Sequence, residues 1–581
     1  MKQFLAFFIL AIIHTGGYAQ TTNIQWAKCL GGSGADGAQS IMQTLDGGYI
    51  VTGSSNSVDG QVTGNHGGYD YWVVKLNDTG GIQWEQSFGG SQDEQGNYIL
   101  QTPDSGYIVA GGAESNDGNV TCGIATDHSY WLVRLNSAGS IIWNGCFGGV
   151  DSLDFSEAWS VALAPDSNFI VCGESAANDG EVTGNHGGTD YWVILVSSTG
   201  SLIWEKSLGG SGQDLGRMAQ PTADSGYIVI GASSSTNGQV TGNHGGPDYW
   251  VVKLDDTGGV QWQKSLGGSG ADEGESIRQT YDGGYIAAGY SNSTDGQVTG
   301  NHGGYDFWVV KLDDTGGIQW QNSLGGSGDD NAYSVQQTVD SGYIVSGSST
   351  SSDGDVTSNL GGSDYWVVKL SKYGVMQWQK SFGGSLDDVS YAIQQTTDTG
   401  FITAGISNST DGNITGNHGG ADYWVVKLSP CVDSPMIVRT NDTLTTAMAY
   451  NTYQWYYDGA PIAGATNASY TLLSNGSYAV YVTDTIGCKG ISLPDSLSNL
   501  GANTVVSNSM ITLMPNPTTG VINVKGAGMV NIYVYNVLGQ LVKEAWNTDN
   551  ISIADLPGSI YFVRLSNDEG TVIYQDKVIK Q

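Results

Sequence analysis

Glu114, Asp127, His128, Asp151, Asp154, Glu157, Trp159 and Glu174 lie within residues 114–174, at positions where otherwise similar segments of the chain carry mostly Ser, Gly, Ile or Tyr. An indole beside several carboxylates can hold a sugar, the ring stacking on a pyranose face while the acids accept from hydroxyls. A carboxylate pair can also, in principle, cleave a glycosidic bond. Drift of two older segments explains the same substitutions without any ligand. The chain has no nucleophile elbow, zinc motif, phosphate loop or dinucleotide fingerprint, so no catalytic residue is assigned.

A second set of reactive groups is periodic. His66, His186, His244, His302 and His418 all sit in the phrase NHGG, and the remaining histidine beyond the first twenty residues is His128. Spread around a ring they are too far apart to share one metal, whose ligand distances are about 2.1 Å. Ordering of loops is their expected role. Asp59, Asp117, Asp179, Asp295, Asp353 and Asp411 precede glycines in a DG phrase, with Asn237 as the exception, and Asp70, Asp190, Asp248, Asp306, Asp364 and Asp422 open another phrase. Oxygen ligands beside glycine turns suit Ca²⁺, the one cofactor this pattern admits. The full spacing of a calcium loop with its closing Glu is absent, and turn-capping carboxylates are the simpler reading.

These groups are carried by a repeat. Trp72, Trp131, Trp192, Trp250, Trp308, Trp366 and Trp424 occupy near-copies of DYWVVKL, spaced 59, 61, 58, 58, 58 and 58 residues apart. A second series, Trp26, Trp84, Trp143, Trp204, Trp262, Trp320 and Trp378, keeps the same beat in phrases like IQWQKSLGG. A strand-rich and glycine-rich period of about 40 to 50 residues or slightly more marks propeller blades, and seven copies predict seven blades. Within one unit four short β-rich runs are bounded by turn chemistry, Asp-Gly-Gly or Asp-Ser-Gly supporting one tight hairpin and Asp-Asp-Thr-Gly-Gly another.

The first unit begins midway, at Ile24-Gln25-Trp26, and the last stops after Leu428 without its final Trp-bearing strand. The Trp26 strand is therefore predicted to pair with the Trp424 strand and close the ring, removing two exposed sheet edges. Closure sets the strand order in each blade: the SIRQT-type run innermost, then YIVAG, then DYWVVKL, with IQW outermost. Alternation then places the GGSGADE and NHGG loops on one face, where a functional surface is expected.

Lys and Arg total 21 against 56 Asp and Glu, a net charge of −35 that repels nucleic acid and anionic lipid. Residues 1–19 read as a signal peptide: Lys2, an apolar run from Phe4 to Ile13, then Gly17 and Ala19 before the cut. That run is too short for a membrane anchor, which needs about 20 apolar residues. Export permits disulfides, and Cys431 with Cys488, bracketing one short module, are the expected pair. Partners of Cys29, Cys122, Cys146 and Cys172 are left open.

Units of the form GGSGxDxxxSIxQTxDGGYIVxGxSxSxDG…GGxDYWVVKLDxTGxIQW resemble the seven-bladed β-propeller repeats of secreted bacterial proteins, giving a domain over residues 20–429. Residues 430–497, with YQWYYDG, NGSYAVYVTD and a late Cys, resemble immunoglobulin-like modules of bacterial surface proteins; the resemblance makes Trp455 a core residue beside the Cys431–Cys488 bridge. A linker, 498–510, follows. In residues 511–581, Pro515-Asn516-Pro517 with Gly520, Leu538-Gly539-Gln540 and Leu556-Pro557-Gly558, in that order, resemble the type A sorting domain of the type IX secretion system.

The expected fold is all-β, a seven-bladed propeller followed by two small β-sandwich domains. The resemblances imply a monomer delivered by the type IX machinery to the outer cell surface or medium, without transmembrane segment. Its expected role is non-catalytic binding or adhesion to an extracellular glycan or protein. The alternative is a carbohydrate-active or other hydrolytic enzyme with its site over blades two and three.

Overall fold

The computed structural model describes residues 24–121, 128–151, 155–429, 435–440, 443–447, 449–472, 476–483, 489–492, 495–497, 511–536, 541–567 and 572–581, and every regular element among them is a strand. Cys122, Asp127, Asp154, Cys431 and Cys488 lie outside the described residues, as does the expected signal peptide.

Residues Ile24–Ser429 form one unit. Its strands make seven four-stranded antiparallel sheets, each taking four consecutive runs of the repeat, as in blade 1: Asp36–Gln43, Tyr49–Ser55, Asp70–Leu76 and Ile82–Phe88. Blade 7 departs from this in the way the repeat phase requires. Its order is Asp388–Gln395, Phe401–Ser407, Asp422–Leu428 and then Ile24–Leu30, the N-terminal strand, with Cys29 opposite Trp424 and Lys28 opposite Val425. The strand order within blades is the one read from the sequence. Blade 7 also packs on the inner strand of blade 1, completing the ring and forming a shared core of Leu30, Val51, Trp72, Ile402, Tyr423 and Val425.

The DYWVVKL strand is buried on both faces because each face meets a different blade. The Trp of one blade packs against the Tyr of the blade before it, as Trp72 on Tyr423 with ring centroids 4.7 Å apart, and Tyr71 on Trp131 at 4.6 Å. Each Tyr hydroxyl then donates to the backbone carbonyl of the Trp it touches: Tyr71 to Trp131 at 3.0 Å, Tyr249 to Trp308 at 2.8 Å, Tyr423 to Trp72 at 2.9 Å. At blade 5 the position is Phe307, which packs tilted against Trp366 at 4.6 Å and has no hydroxyl to give. A buried neutral hydrogen bond contributes about 1 kcal/mol. Tyr423→Phe is expected to lower stability by about that amount, and Phe307→Tyr to raise it by about 0.5–1 kcal/mol, since the new hydroxyl faces the Trp366 carbonyl. Melting curves of the two variants check the pair, and equal shifts of the same sign would refute the clasp.

A second inter-blade stitch runs along the opposite end of the inner strands. Gln101, Gln279, Gln337, Gln395 and Gln43 end these strands, and each carboxamide oxygen accepts from a turn amide of the preceding blade, at Leu45, Ala223, Tyr281, Val339 and Thr397. Leu163 and Pro221 replace the glutamine in blades 3 and 4. The turn residues that would have donated to them are Pro103 and Pro165, which have no N–H. Acceptor and donor are thus present together or absent together at all seven interfaces.

The loop carboxylates are committed to turns. Asp59 Oδ1 accepts from the Ser33 amide at 2.7 Å, and Asp117, Asp179, Asp295, Asp353 and Asp411 accept in the same way from the GG loop. Asn237 does so for Ser211 at 2.8 Å. An uncharged amide oxygen serves there, so the position requires an acceptor. Each NHGG histidine folds its loop onto the buried Asp four residues on; Asp70 Oδ2 receives the His66 amide at 2.9 Å and lies 2.7 Å from its Nδ1. These bonds tie the two long loops together at one end of the ring.

In the C-terminal unit, residues 435–497 form a three-stranded sheet (Ile437–Thr440, Thr443–Thr446, Ser469–Thr471) and a second sheet built on Thr452–Tyr457 and Gly476–Thr483, with Trp455, Leu444 and Val480 buried between them. Residues 511–581 form a further pair of sheets around Ile522, Ile532, Val563 and Val578. Cys29 and Cys172 are free and buried, whereas Cys146 is disulfide-bonded.

Candidate functional site in the central channel

Each inner strand is interrupted once by a β-bulge. The register slips between Ala38 and Ser40, Gly96 and Tyr98, Ala158 and Ser160, Gly216 and Met218, Gly274 and Ser276, Ala332 and Ser334, and Ser390 and Ala392. A bulge leaves one residue out of the ladder and re-aims its side chain. The residues so released are Gln39, Asn97, Trp159, Arg217, Glu275, Tyr333 and Tyr391, and all seven line a cavity of about 510 Å³ at the centre of the ring. The residue just before the released one is small in every blade, Ala, Gly or Ser. The released position itself supplies an amide, an indole, a guanidinium, a carboxyl or a phenol according to blade.

The charged part of the wall lies in blades 3 to 5. Arg217 stacks over Trp159, its guanidinium carbon 4.7 Å from the ring centroid, a cation–π contact. Its Nη1 is 3.7 Å from Glu174 Oε2 and its Nε is 3.6 Å from Glu275 Oε2, so the ion pairs are made at longer than hydrogen-bond distance. Arg217 Nη1 and Glu174 Oε2 are both buried without a hydrogen-bond partner. Trp159 Nε1 donates to the other oxygen of Glu174 at 3.3 Å. Glu157 faces Glu174 across the blade 3 hairpin; its Oε1 accepts from Asn97 Nδ2 at 2.8 Å, and its Oε2 is 3.9 Å from His128 Nε2. His128 in turn approaches Glu114 at 3.6 Å and stacks on Phe155 at 5.0 Å.

Burial is the main electrostatic force here. It pushes the Glu275 carboxyl up to about 7, although Arg217 pulls the other way. Burial also raises Glu157, against His128 and Asn97, and Glu174, against Arg217 and Trp159. His128 is lowered because burial disfavours its cation more than Glu157 supports it. For Arg217, burial opposes the charge, but Glu275 and Glu174 outweigh it and hold the guanidinium above its ordinary value.

An aromatic wall faces these groups. Tyr290, Tyr333 and Tyr391 form a row across blades 5 to 7 with centroid separations of 6.2 and 5.0 Å, and Tyr290 donates to Glu273 Oε2 at 2.9 Å. Tyr98 of blade 2 reaches across the channel to blade 5, where Arg278 Nη2 donates to its hydroxyl at 2.9 Å.

Of the residues singled out in the sequence, Trp159 lines this cavity, Glu174 and Glu157 stand behind the wall against Trp159 and Asn97, and His128 and Glu114 lie beyond them. Asp151 has no part in the channel wall, and Asp127 and Asp154 are not described. Sequence reasoning missed Arg217, Glu275, Tyr333, Tyr391, Asn97 and Gln39. They occupy the fourth residue of each inner run, where Q, N, W, R, E, Y and Y succeed one another, but the second residue of the run varies as much, so variability alone does not single them out. Among the described residues no three His, Cys, Asp or Glu side chains come together as a metal-ligand set.

None of the curated proteins matches the sequence. Similar solved structures include the extracellular domain of a hybrid two-component system from B. thetaiotaomicron (9% identity, TM-score 0.36, covering 96% of this chain and 60% of that one). They also include the Pan2 WD40 domain of Neurospora crassa (11%, TM-score 0.37, 69% and 95%) and PorZ, a surface component of the type IX secretion system of Porphyromonas gingivalis (11%, TM-score 0.24, 94% and 81%). The chain thus spans 60% of the length of the first of these. Residues 512–581 match the family model of the secretion system C-terminal sorting domain. The protein carries, in residues 512–581, the sorting tail that marks export by the type IX secretion system to the cell surface or extracellular space.

Proposed function

We propose that this is a surface-displayed or released binding protein that receives an extracellular ligand in its central channel and does not transform it. A signal peptide over residues 1–19 takes it across the inner membrane, and residues 430–497 act as an immunoglobulin-like spacer between the propeller and the tail. The supporting observation is the bulged ring. In a chain that repeats one unit seven times, the seven side chains aimed at one enclosed space are almost all different, which sevenfold fold stability does not require.

The carboxylates favour binding over hydrolysis. Glu174 is held by the Trp159 indole and faces Arg217, while Glu157 is held by Asn97 and faces His128, so neither is left free as a nucleophile. Glu275, its carboxyl pushed up to about 7 by burial, has the protonation behaviour of a general acid. Glycan and peptide arrays probed with the whole mature chain test the proposal. Binding is expected to fall at least tenfold in Gln39→Ala and Tyr391→Ala and to persist in the loop variant His66→Ala. Binding that survives both channel substitutions would refute the assignment, and turnover of a bound glycan abolished by Glu275→Gln would establish the hydrolytic alternative.

A further inference from the structure

We infer that the channel takes a neutral, polyhydroxylated ligand, a sugar residue of an uncharged glycan; this rests on the channel being the binding site. The wall decides the charge of its occupant. Arg217 and Arg278 both reach the cavity, so a ligand ammonium or guanidinium would meet two fixed cations. Of the nearby acids only Glu275 lines the cavity, but Glu174 and Glu275 stand 3.7 and 3.6 Å from Arg217 and Glu273 and Glu157 lie just behind the wall, so the guanidiniums are offset and offer a phosphate, sulfate or uronate no net positive field. The net charge of −35 adds a long-range field against anions. What remains is an uncharged group.

That group must both donate and accept. Arg217 Nη1 and Arg278 Nε, in residues that line the cavity, are buried donors without a hydrogen-bond partner, and the Glu275 carboxyl in the same wall is the acceptor beside Arg217. A buried donor without a hydrogen bond costs about 1–3 kcal/mol, part of which the long ion pairs offset and the rest of which a ligand hydroxyl able to donate and accept would recover. Gln336 and Gln394 have their carboxamide oxygens committed to the Gln395 and Gln43 amides, which turns their NH₂ groups toward other acceptors.

The apolar part of the wall fits the same ligand. Tyr333 and Tyr391 make a continuous aromatic surface, while the Trp159 indole with its stacked guanidinium lies in blades 3 and 4. C–H faces of a pyranose pack on such rings while its equatorial hydroxyls point to the polar groups between them. The cavity, about 510 Å³, falls within the range of about 300–1,000 Å³ that holds small ligands. Arg278 bonded to Tyr98 spans the channel, so the ligand sits in the cavity and does not thread the ring.

Titration calorimetry on the whole mature chain separates the ligand class from the site. The probes are maltohexaose, cellohexaose, mannohexaose, xylohexaose and chitohexaose as neutral sugars, hexagalacturonate as an anion and hexalysine as a cation. At least one neutral probe is expected to bind, at least tenfold more weakly to Tyr391→Ala and to Trp159→Phe, with hexagalacturonate and hexalysine silent. Binding of only a charged probe, lost in Tyr391→Ala, would overturn the sugar inference and leave the channel as the site. Neutral-sugar binding unchanged in both variants would overturn the channel itself. No heat from any neutral probe at millimolar concentration would also overturn the inference.

Discussion

A chain from which Ile24–Leu30 has been deleted is expected to melt at least about 10 °C below the intact protein, with the loss spread over the whole ring. The strand is short, but it contributes the outer edge of blade 7, burying Leu30 and Cys29 and packing Trp26 against Tyr49 of blade 1 at 5.6 Å. Full burial of one such apolar side chain contributes about 1.5–3 kcal/mol, and each ladder bond about 1 kcal/mol. Together the losses reach on the order of 5 kcal/mol, a large share of the roughly 5–15 kcal/mol that holds a domain folded. Deletion also bares the edge of the Asp422–Leu428 strand, the kind of unpaired edge that recruits another chain. The variant should therefore associate at micromolar concentration. A synthetic peptide of residues 24–30 should restore the melt and reverse the association. Near-ultraviolet circular dichroism and light scattering read the two effects, and an unchanged melt would refute closure by the N-terminal strand.

The second large effect concerns delivery. A chain ending before Thr512 is expected to fold its propeller and remain in the periplasm, with the surface and medium signals falling to background. The tail is a separate pair of sheets with its own core of Ile522, Ile532, Val563 and Val578, so its removal takes no side chain from the blades. Cell fractionation with whole-cell immunolabelling measures the outcome. Surface delivery at the intact level would show that residues 512–581 are dispensable for export in this protein.

The ring was legible because its determinants are local and repeated. Trp and Tyr take opposite faces in DYWVVKL, glycine turns punctuate the runs, and the strand that starts at Ile24 supplies what the unit ending at Leu428 lacks. Strand order follows from that phase alone. The site was only partly legible because a bulge is not a composition signal. Gln39 or Glu275 reads as an ordinary polar residue in an alternating strand, and only the slip beside it turns the side chain into the channel. Trp159 and Glu174 drew notice by being unusual types; Arg217 and Tyr391 did not, since their meaning comes from neighbours in other blades. The Gln–Pro correspondence at the opposite end was hidden for the same reason. Leu163 and Pro103 are sixty residues apart in sequence and explain each other only across a blade interface.

Hydroxyl-radical labelling of Trp159, Tyr333 and Tyr391, with and without a saturating concentration of the ligand found on the arrays, tests the central claim most directly. Protection concentrated at these three side chains, with the exposed Tyr373, on a turn to the outermost strand of blade 6, labelled equally in both states, is the expected result. Unchanged labelling in the channel, with protection appearing on the outer loops, would contradict the assignment of the bulged ring as the binding site.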